Sequence, residues 1–142
     1  MRVSDIMTKN PATVSMDTTV QEVARLMADR DVGFVPIVDG QGVVTGTVTD
    51  RDIVVRAIAK GIDVKTSRLR DFGGNQIVSV TPEDDVSRAR DLMQQHQVQR
   101  ILVCDAKKKP VGVISLQDLA EHDRSGLGET VRQVKQEGAS VH

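Results

Sequence analysis

The segment Gly46-Thr47-Val48-Thr49-Asp50-Arg51-Asp52 has a counterpart 66 residues later, Gly112-Val113-Ile114-Ser115-Leu116-Gln117-Asp118. In each segment a β-rich run ends at a hydroxyl residue, and an Asp follows three positions later. A Thr or Ser that precedes an Asp by less than one turn is typical of the start of a helix. Both segments therefore predict the same local structure, a strand that leads directly into a helix.

The rest of the sequence repeats in the same register. With the same offset, residues 2–57 align with residues 68–123 without a gap, and ten of the pairs are identical. A repeat of this length indicates two copies of one structural unit. We therefore predict a first domain at residues 1–60, a linker at 61–67, a second domain at 68–124, and a C-terminal tail at 125–142 with a short helix near 129–135.

Each copy predicts the element order β-α-β-β-α. Thr19 and Glu22 have the spacing of a capping box, which starts the first helix, and Gly40 and Gly42 separate two β-rich runs as in a hairpin. In the second copy, Thr81-Pro82 places Pro at the first position of a helix, where it is favoured. In copy one, the predicted elements are an extended segment at 13–15, a helix at 19–30, strands at 34–39 and 43–49, and a helix at 50–60. In copy two, they are an extended segment at 78–80, a helix from 81, strands at 100–105 and 110–115, and a helix from 116.

These elements predict an α+β fold. A unit of about 60 residues buries too little surface to be stable alone, so we expect the two β-α-β-β-α repeats to pack sheet to sheet with pseudo-twofold symmetry. Such pairing leaves two equivalent clefts, and clefts of this kind commonly bind small ligands.

The composition excludes several classes of partner. The chain has two Phe and no Trp or Tyr, and its 19 Lys and Arg are balanced by 20 Asp and Glu. Nucleic-acid binding is therefore not expected, because it requires excess positive charge or aromatic platforms. No apolar run approaches the roughly 20 residues of a membrane span, and the N-terminus lacks a signal peptide, so we expect no membrane partner and a cytoplasmic location. The single cysteine, Cys104, is interpreted as core packing.

Two interpretations of the repeated hydroxyl-x-x-Asp segment are open. In the first, Thr49 and Ser115 are ordinary N-caps and the Asp residues complement the helix dipole. In the second, the hydroxyl and free amides at the helix start bind a phosphate, while Asp52 or Asp118 accepts the hydroxyls of a ribose. The second interpretation describes a ribonucleotide site in each copy.

The duplicated plan resembles a known family. The opening Asp5-Ile6-Met7, the strand 34–39 and the Gly-x-x-Thr/Ser-x-x-Asp signature in both copies are similar to a tandem pair of CBS domains, a Bateman module, over residues 1–124. The resemblance implies a regulatory module that binds AMP, ADP or ATP, or else NAD or S-adenosylmethionine, without catalysis and with no metal. It also implies a homodimer that signals to an effector protein, whose identity the sequence does not reveal.

The resemblance implies roles for residues at matching positions. Thr49 and Ser115 correspond to phosphate contacts, Asp52 and Asp118 to ribose contacts, and Arg100 to a phosphate-contacting Arg, with Phe34 in its place in copy one. Arg51 accompanies Asp52 in copy one, where copy two has Gln117, and either Arg can instead be a solvated surface residue. The positions that correspond to the adenine slot are Ala12, Thr13, Val14, Val35, Pro36 and Ile37 in copy one, and Val78, Ser79, Val80, Ile101, Leu102 and Val103 in copy two.

Two functions other than a regulatory nucleotide-binding module are open. The first is a structural or protein-interaction module that dimerises and has no physiological nucleotide, with the repeated segments acting as caps only. The second is an enzyme, which has little support because His96, His122 and Cys104 have neither metal-ligand spacing nor a partner base in the sequence.

Overall fold

The computed structural model describes residues 1–72 and 76–123 of the chain. In chain order the elements are α1 (Val3–Ile6), β1 (Thr8–Lys9), α2 (Val20–Arg30), β2 (Phe34–Val38), β3 (Val44–Thr49), α3 (Asp50–Asp52) with a π-helix directly after it (Ile53–Ile58), a 3-10 helix (Leu69–Phe72), β4 (Ser79–Val80), α4 (Val86–His96), β5 (Arg100–Cys104), β6 (Pro110–Ser115) and α5 (Leu116–His122).

The chain divides into two compact units. Unit 1 combines Met1–Asn10 with the chain from Val78 onwards, and unit 2 is Pro11–Ile77. These limits differ from those of the sequence repeats, because the first ten residues pack with the second repeat and the chain just after residue 60 packs with the first. The predicted helix near 129–135 lies outside the described residues.

Unit 2 is built around one hairpin and one amphipathic helix. β2 and β3 pair antiparallel, and the Asp39 carboxylate shapes their turn by accepting hydrogen bonds from the amides of Gln41 and Val43, at 2.8 and 3.0 Å. Helix α2 begins with the predicted capping box, in which Thr19 and Glu22 exchange side-chain and backbone hydrogen bonds. The core of the unit consists of Val20, Val23, Met27, Val35, Ile37, Val48, Ile53, Ala57 and Leu69.

Unit 1 repeats this plan with a larger sheet. Its strand order is β1-β6-β5-β4, with β5 and β6 as an antiparallel hairpin and β4 parallel to β5. The core consists of Val3, Val80, Val86, Ala89, Met93, Ile101, Val103, Ile114, Leu116 and Leu119. Cys104, at the end of β5, is buried as predicted, and burial raises the pKa of its thiol.

Each unit is completed by an anchor from the other sequence repeat. Val3 of the first repeat is fully buried in unit 1, and Leu69 of the second repeat is 1% exposed in unit 2. The backbone holds both anchors in the same way, since Val3 donates to the carbonyl of Asp84 at 2.8 Å and Leu69 donates to that of Thr18 at 3.0 Å. The anchoring segments are therefore exchanged between the two repeats.

The start of helix α4 was predicted wrongly. The helix begins at Val86 with Asp85 as its N-cap, and residues 81–84 form a turn in which Thr81 donates its amide to an Asp84 carboxylate oxygen at 2.9 Å. Pro82 lies in this turn, because Pro fits a turn as well as a first helical position. Asp85 aligns with Thr19, the N-cap of α2, in the sequence repeat, and this alignment indicates the correct start.

The helix predicted at 50–60 is present in a different form. Only Asp50–Asp52 is α-helical, and Ile53–Ile58 forms a π-helix with wider hydrogen bonds such as that from the Ala59 amide to the Val54 carbonyl, at 2.9 Å. Its β-branched run, Ile53-Val54-Val55, is crowded in a tight α-helix.

Leu69→Ala should lower the free energy of unfolding by about 2–5 kcal/mol, the usual cost of removing a large side chain from a core. Ile77, which is 40% exposed in the same unit, provides the matched control, and Ile77→Ala should cost much less. Urea unfolding followed by circular dichroism measures both values. Equal costs for the two variants would contradict the role of Leu69 as an anchor.

Asp85 should make folding sensitive to acid. Hydrogen bonds from the side chain and backbone of Ser87 lower the pKa of Asp85 from 3.8 to about 2. Because the folded pKa is lower than the unfolded one, this contribution to stability is complete above pH 3.8 and is lost as the pH falls towards 2. Asp85→Asn keeps a capping oxygen and does not titrate, so its urea midpoint should fall less steeply than that of the wild type across this window. Parallel curves would contradict the assignment.

Candidate functional site

The first candidate site lies where β3 leads into α3. The Thr49 hydroxyl accepts a hydrogen bond from the Asp52 amide at 3.1 Å, and an Asp52 carboxylate oxygen accepts one from the Thr49 amide at 2.8 Å. This arrangement is a capping box in which Asp takes the place usually held by Glu or Gln. The two predicted contact residues are thus in direct contact and partly buried.

The second candidate site has the same geometry in unit 1. Ser115 and Asp118 form the equivalent capping box between β6 and α5, with the same distances of 3.1 and 2.8 Å. The pair of sites therefore reproduces the repeat in the sequence, and it does so at the level of individual atoms.

Two of the amides at each helix start, those of the first and third helical residues, are already hydrogen-bonded, contrary to the expectation of free amides there. The Asp50 amide donates to the Gly33 carbonyl at 3.0 Å, and the Leu116 amide donates to the Gln99 carbonyl at 2.8 Å. Together with the Asp52 and Asp118 amides, which donate to the cap hydroxyls, these groups are already satisfied within their own unit. A phosphate at these positions would therefore rely on hydroxyl and cationic side chains.

The Asp carboxylates differ in their surroundings. The second oxygen of Asp52 lies 3.9 Å from the Arg56 guanidinium, one turn along the helix, whereas Asp118 has no ion pair within residues 1–72 and 76–123. His122 occupies the position in copy two that corresponds to Arg56. Arg56 was not among the predicted site residues, although its i, i+4 spacing from Asp52 indicates the contact, because this spacing brings side chains together on a helix.

Cations also distinguish the two sites. Arg100 is the register partner of Ser115 across the β5–β6 ladder, so the two side chains project from the same face of the hairpin. Phe34 has the same relation to Thr49 across β2 and β3. Arg51 lies on the helix that Thr49 caps and is exposed. Arg100 is therefore a cross-strand neighbour of Ser115, and Arg51 lies at the surface.

The residues predicted to line an adenine slot divide between two faces of each sheet. Val35 and Ile37 belong to the core of unit 2, and Ile101 and Val103 belong to the core of unit 1, so these four side chains serve packing. Strand alternation places Pro36 and its counterpart Leu102 on the opposite face. The adjacent extended segments pair with these strands: Val14 pairs with Ile37, and Ser79 and Val80 pair with Leu102 and Val103. The side chains of Thr13 and Ser79 are exposed.

A cavity of about 630 Å³ lies within unit 2. Thr13 and Val14 line it, but its other walls come from the turn after Val14, the far end of the β2–β3 hairpin and Arg70. Thr49, Asp52 and Pro36 are not among its lining residues. The cavity is therefore separate from the hydroxyl–Asp pair, and the sequence did not predict it, because its walls come from segments far apart in the chain.

Within the part of the chain that the structure describes, no three His, Cys, Asp or Glu side chains are close enough together to hold a metal ion. No helix among the described residues has the length and apolar character needed to span a membrane.

Comparison with known proteins identifies the family. The sequence matches the CBS domain twice, over residues 3–58 and 69–125, and the chain belongs to the CBS domain family. It is 41% identical over 123 residues to the CBS domain-containing protein YhcV of Bacillus subtilis, covering 87% of this chain and 86% of YhcV. The predicted α+β fold with two CBS repeats is thereby confirmed.

Two solved structures share the fold. The CBS domain pair of protein MJ0100, in complex with 5-methylthioadenosine and S-adenosyl-L-methionine, has a TM-score of 0.78 at 21% identity and covers 88% of this chain and 97% of its own. Hypoxic Response Protein I, with two coordinated zinc ions, has a TM-score of 0.76 at 29% identity and covers 86% of this chain and 98% of its own.

Proposed function

We propose that this chain is a non-catalytic regulatory module that binds an adenosine compound, with one candidate site in each unit. Thr49 with Asp52, and Ser115 with Asp118, would contact phosphate and ribose. Pro36 and Leu102 would border the base, together with the backbone of the segments around Val14 and Val80. AMP, ADP and ATP are the preferred ligands, and NAD and S-adenosylmethionine are further members of the test panel.

The observation that supports this proposal best is the matched pair of capping boxes. A helix needs a capping residue, but many residue types can supply it, and α2 and α4 use different ones. Among the helices in the described residues, only the two after β3 and β6 share hydroxyl-x-x-Asp with identical hydrogen-bond distances. A carboxylate has about four lone-pair sites, and the cap hydrogen bond of Asp118 uses one of them, so Asp118 has capacity for the hydroxyls of a ribose. Asp52 would share its carboxylate between Arg56 and the ribose.

The two sites should differ in their preference for phosphate. Arg100 is the cross-strand neighbour of Ser115 and would supply a cation for phosphate in unit 1, whereas Phe34 has that position beside Thr49 in unit 2. Because hydrogen bonds between Arg and phosphate are charge-assisted, we propose that unit 1 binds the more highly charged nucleotides.

A structural module is the second candidate. The capping boxes satisfy the helix starts without any ligand, which favours this alternative. In that case the chain would dimerise and bind no nucleotide.

We also propose that the chain forms a homodimer through the π-helix. Val54, Val55 and Ile58 are 56%, 44% and 61% exposed, which places three large apolar side chains on one short helix. Apolar patches of this kind mark interaction surfaces, and the likeness to Bateman modules favours a second copy of the chain as the partner.

Thermal unfolding with AMP, ADP, ATP, NAD and S-adenosylmethionine tests the sensor proposal. A ligand at 100 times its Kd adds about 2.7 kcal/mol, which should raise the Tm by about 5–10 °C for a chain of this size. Calorimetry should confirm any shift, because the chain lacks Trp and Tyr and has little intrinsic fluorescence. If no compound in the panel raises the Tm, the structural alternative holds.

Asp52→Asn together with Asp118→Asn should remove most of that shift. Asn keeps an oxygen for the Thr49 and Ser115 amides, whereas Ala would also destroy both caps. Loss of a hydrogen bond to a charged group costs about 1.5–3 kcal/mol, or roughly ten- to a hundredfold in Kd. Glu22→Gln is the matched control, because Glu22 has the same capping role in α2. A normal shift in the double variant would show that the ribose assignment is wrong.

Val54→Asp combined with Ile58→Asp should convert the homodimer into a monomer, because a buried unpaired charge is costly at an interface. Light scattering coupled to size-exclusion chromatography measures the change. Val32→Asp provides the control, since Val32 is an exposed apolar residue elsewhere in unit 2. Dimers in both variants, or a monomeric wild type, would contradict the proposed interface.

A further inference from the structure

The cavity in unit 2 lies at the opposite end of the hairpin from Thr49 and Asp52. Thr49 pairs with Phe34 at the start of β2, whereas Val38, which lines the cavity, pairs with Val44 at the end of the same strand. Four strand steps separate Phe34 from Val38, or about 13 Å. The cavity volume of about 630 Å³ is within the range of roughly 300–1,000 Å³ that is typical of small-molecule sites.

The lining combines aliphatic and charged groups. Val14, Met16 and Val38 supply aliphatic surface, and Arg70, Asp17 and Asp39 supply one positive and two negative charges. The Asp17 carboxylate contacts the Arg70 guanidinium, and Arg68 approaches the same carboxylate at 3.6 Å. Arg70 and Asp17 are both more than half exposed, so their ion pair contributes little to stability and can open for a ligand.

The amide at this position makes the equivalent hydrogen bond in both units, but the side chain differs. The Arg70 amide donates to the Met16 carbonyl at 3.0 Å, and the amide of Ser4, its counterpart in unit 1, donates to the Pro82 carbonyl at 3.0 Å. Since Ser4 occupies the same place in the fold, folding does not require an Arg at this position. Two further lining residues of unit 2, Gly40 and Thr45, are replaced in unit 1 by Ala106 and Val111.

We propose that this cavity binds a small zwitterion, an α-amino acid with an aliphatic side chain. Its carboxylate would pair with Arg70, its ammonium group with Asp17 and Asp39, and its side chain would contact Val14, Met16 and Val38. A zwitterion complements both signs of charge in this lining, because its carboxylate would face Arg70 and its ammonium group the two Asp, whereas a simple ion would satisfy only one of them. This site shares the segment around Val14 with the adenosine site proposed for unit 2, but it does not include Thr49, Asp52 or Pro36.

Calorimetric titration of the full chain with L-alanine, L-valine, L-leucine and L-methionine tests the proposal. At least one should bind saturably at one site per chain. For the best binder, the analogues that lack one charged group should bind at least tenfold more weakly; for L-leucine these are 4-methylpentanoate and 3-methylbutylamine. Absence of binding by all four amino acids, or equal binding by the analogues, would overturn the proposal.

Arg70→Ser introduces the residue found in the other copy, and it should weaken amino-acid binding about ten- to a hundredfold, since a charge-assisted contact is lost. Arg68→Ser is the matched control, because Arg68 also contacts Asp17 but does not line the cavity. Asp17→Asn provides a second variant that should weaken binding. Circular dichroism and the unchanged response to adenosine compounds verify the fold. Equal affinity in Arg70→Ser and Arg68→Ser would assign the binding to another site.

Discussion

Both units depend on a single buried aliphatic side chain that their own sequence repeat does not contain. Val3 fills the core of unit 1 and Leu69 fills the core of unit 2, and each is held by a backbone hydrogen bond to the turn that precedes the main helix. That turn positions the segments around Val14 and Val80, which pair with β2 and β5. In each unit, the anchor, the turn and the strand (β2 or β5) therefore form one continuous arrangement, and the candidate ligand residues are attached to it.

The hydroxyl–Asp pairs have two roles that do not exclude one another. As caps they satisfy amides that would otherwise be unpaired at the helix starts, and the distances show that they do so in both units. As candidate ligand contacts they offer hydroxyl and carboxylate groups that are already held in place, which lowers the entropy cost of binding. The sequence left these roles as alternatives; the geometry establishes the capping role, and the ligand role is the one we propose.

Sequence reasoning predicted the local structure better than the tertiary structure. The register of the repeat and the capping signals predicted α2, both hairpins and the start of α5, because these features depend on neighbours in the chain. It misplaced the start of α4, because Pro82 fits a turn and a helix start equally well. It also missed the exchanged anchors, the satisfied amides of Asp50 and Leu116, and the cavity beside Arg70. Each of these depends on residues that are distant in sequence, so no local pattern indicated them.

The exchange of anchors bears on how such a chain could be divided or could have arisen. A fragment cut at the repeat boundary, residues 1–60, would keep the helix and hairpin of unit 2 but lose Leu69, while residues 11–77 retain the anchor with its core. For the same reason, a precursor with one repeat would have needed an anchor from a second molecule. Fusion of two such copies would turn an exchange between chains into one within a chain, and the effective concentration of the anchor would no longer depend on that of the protein.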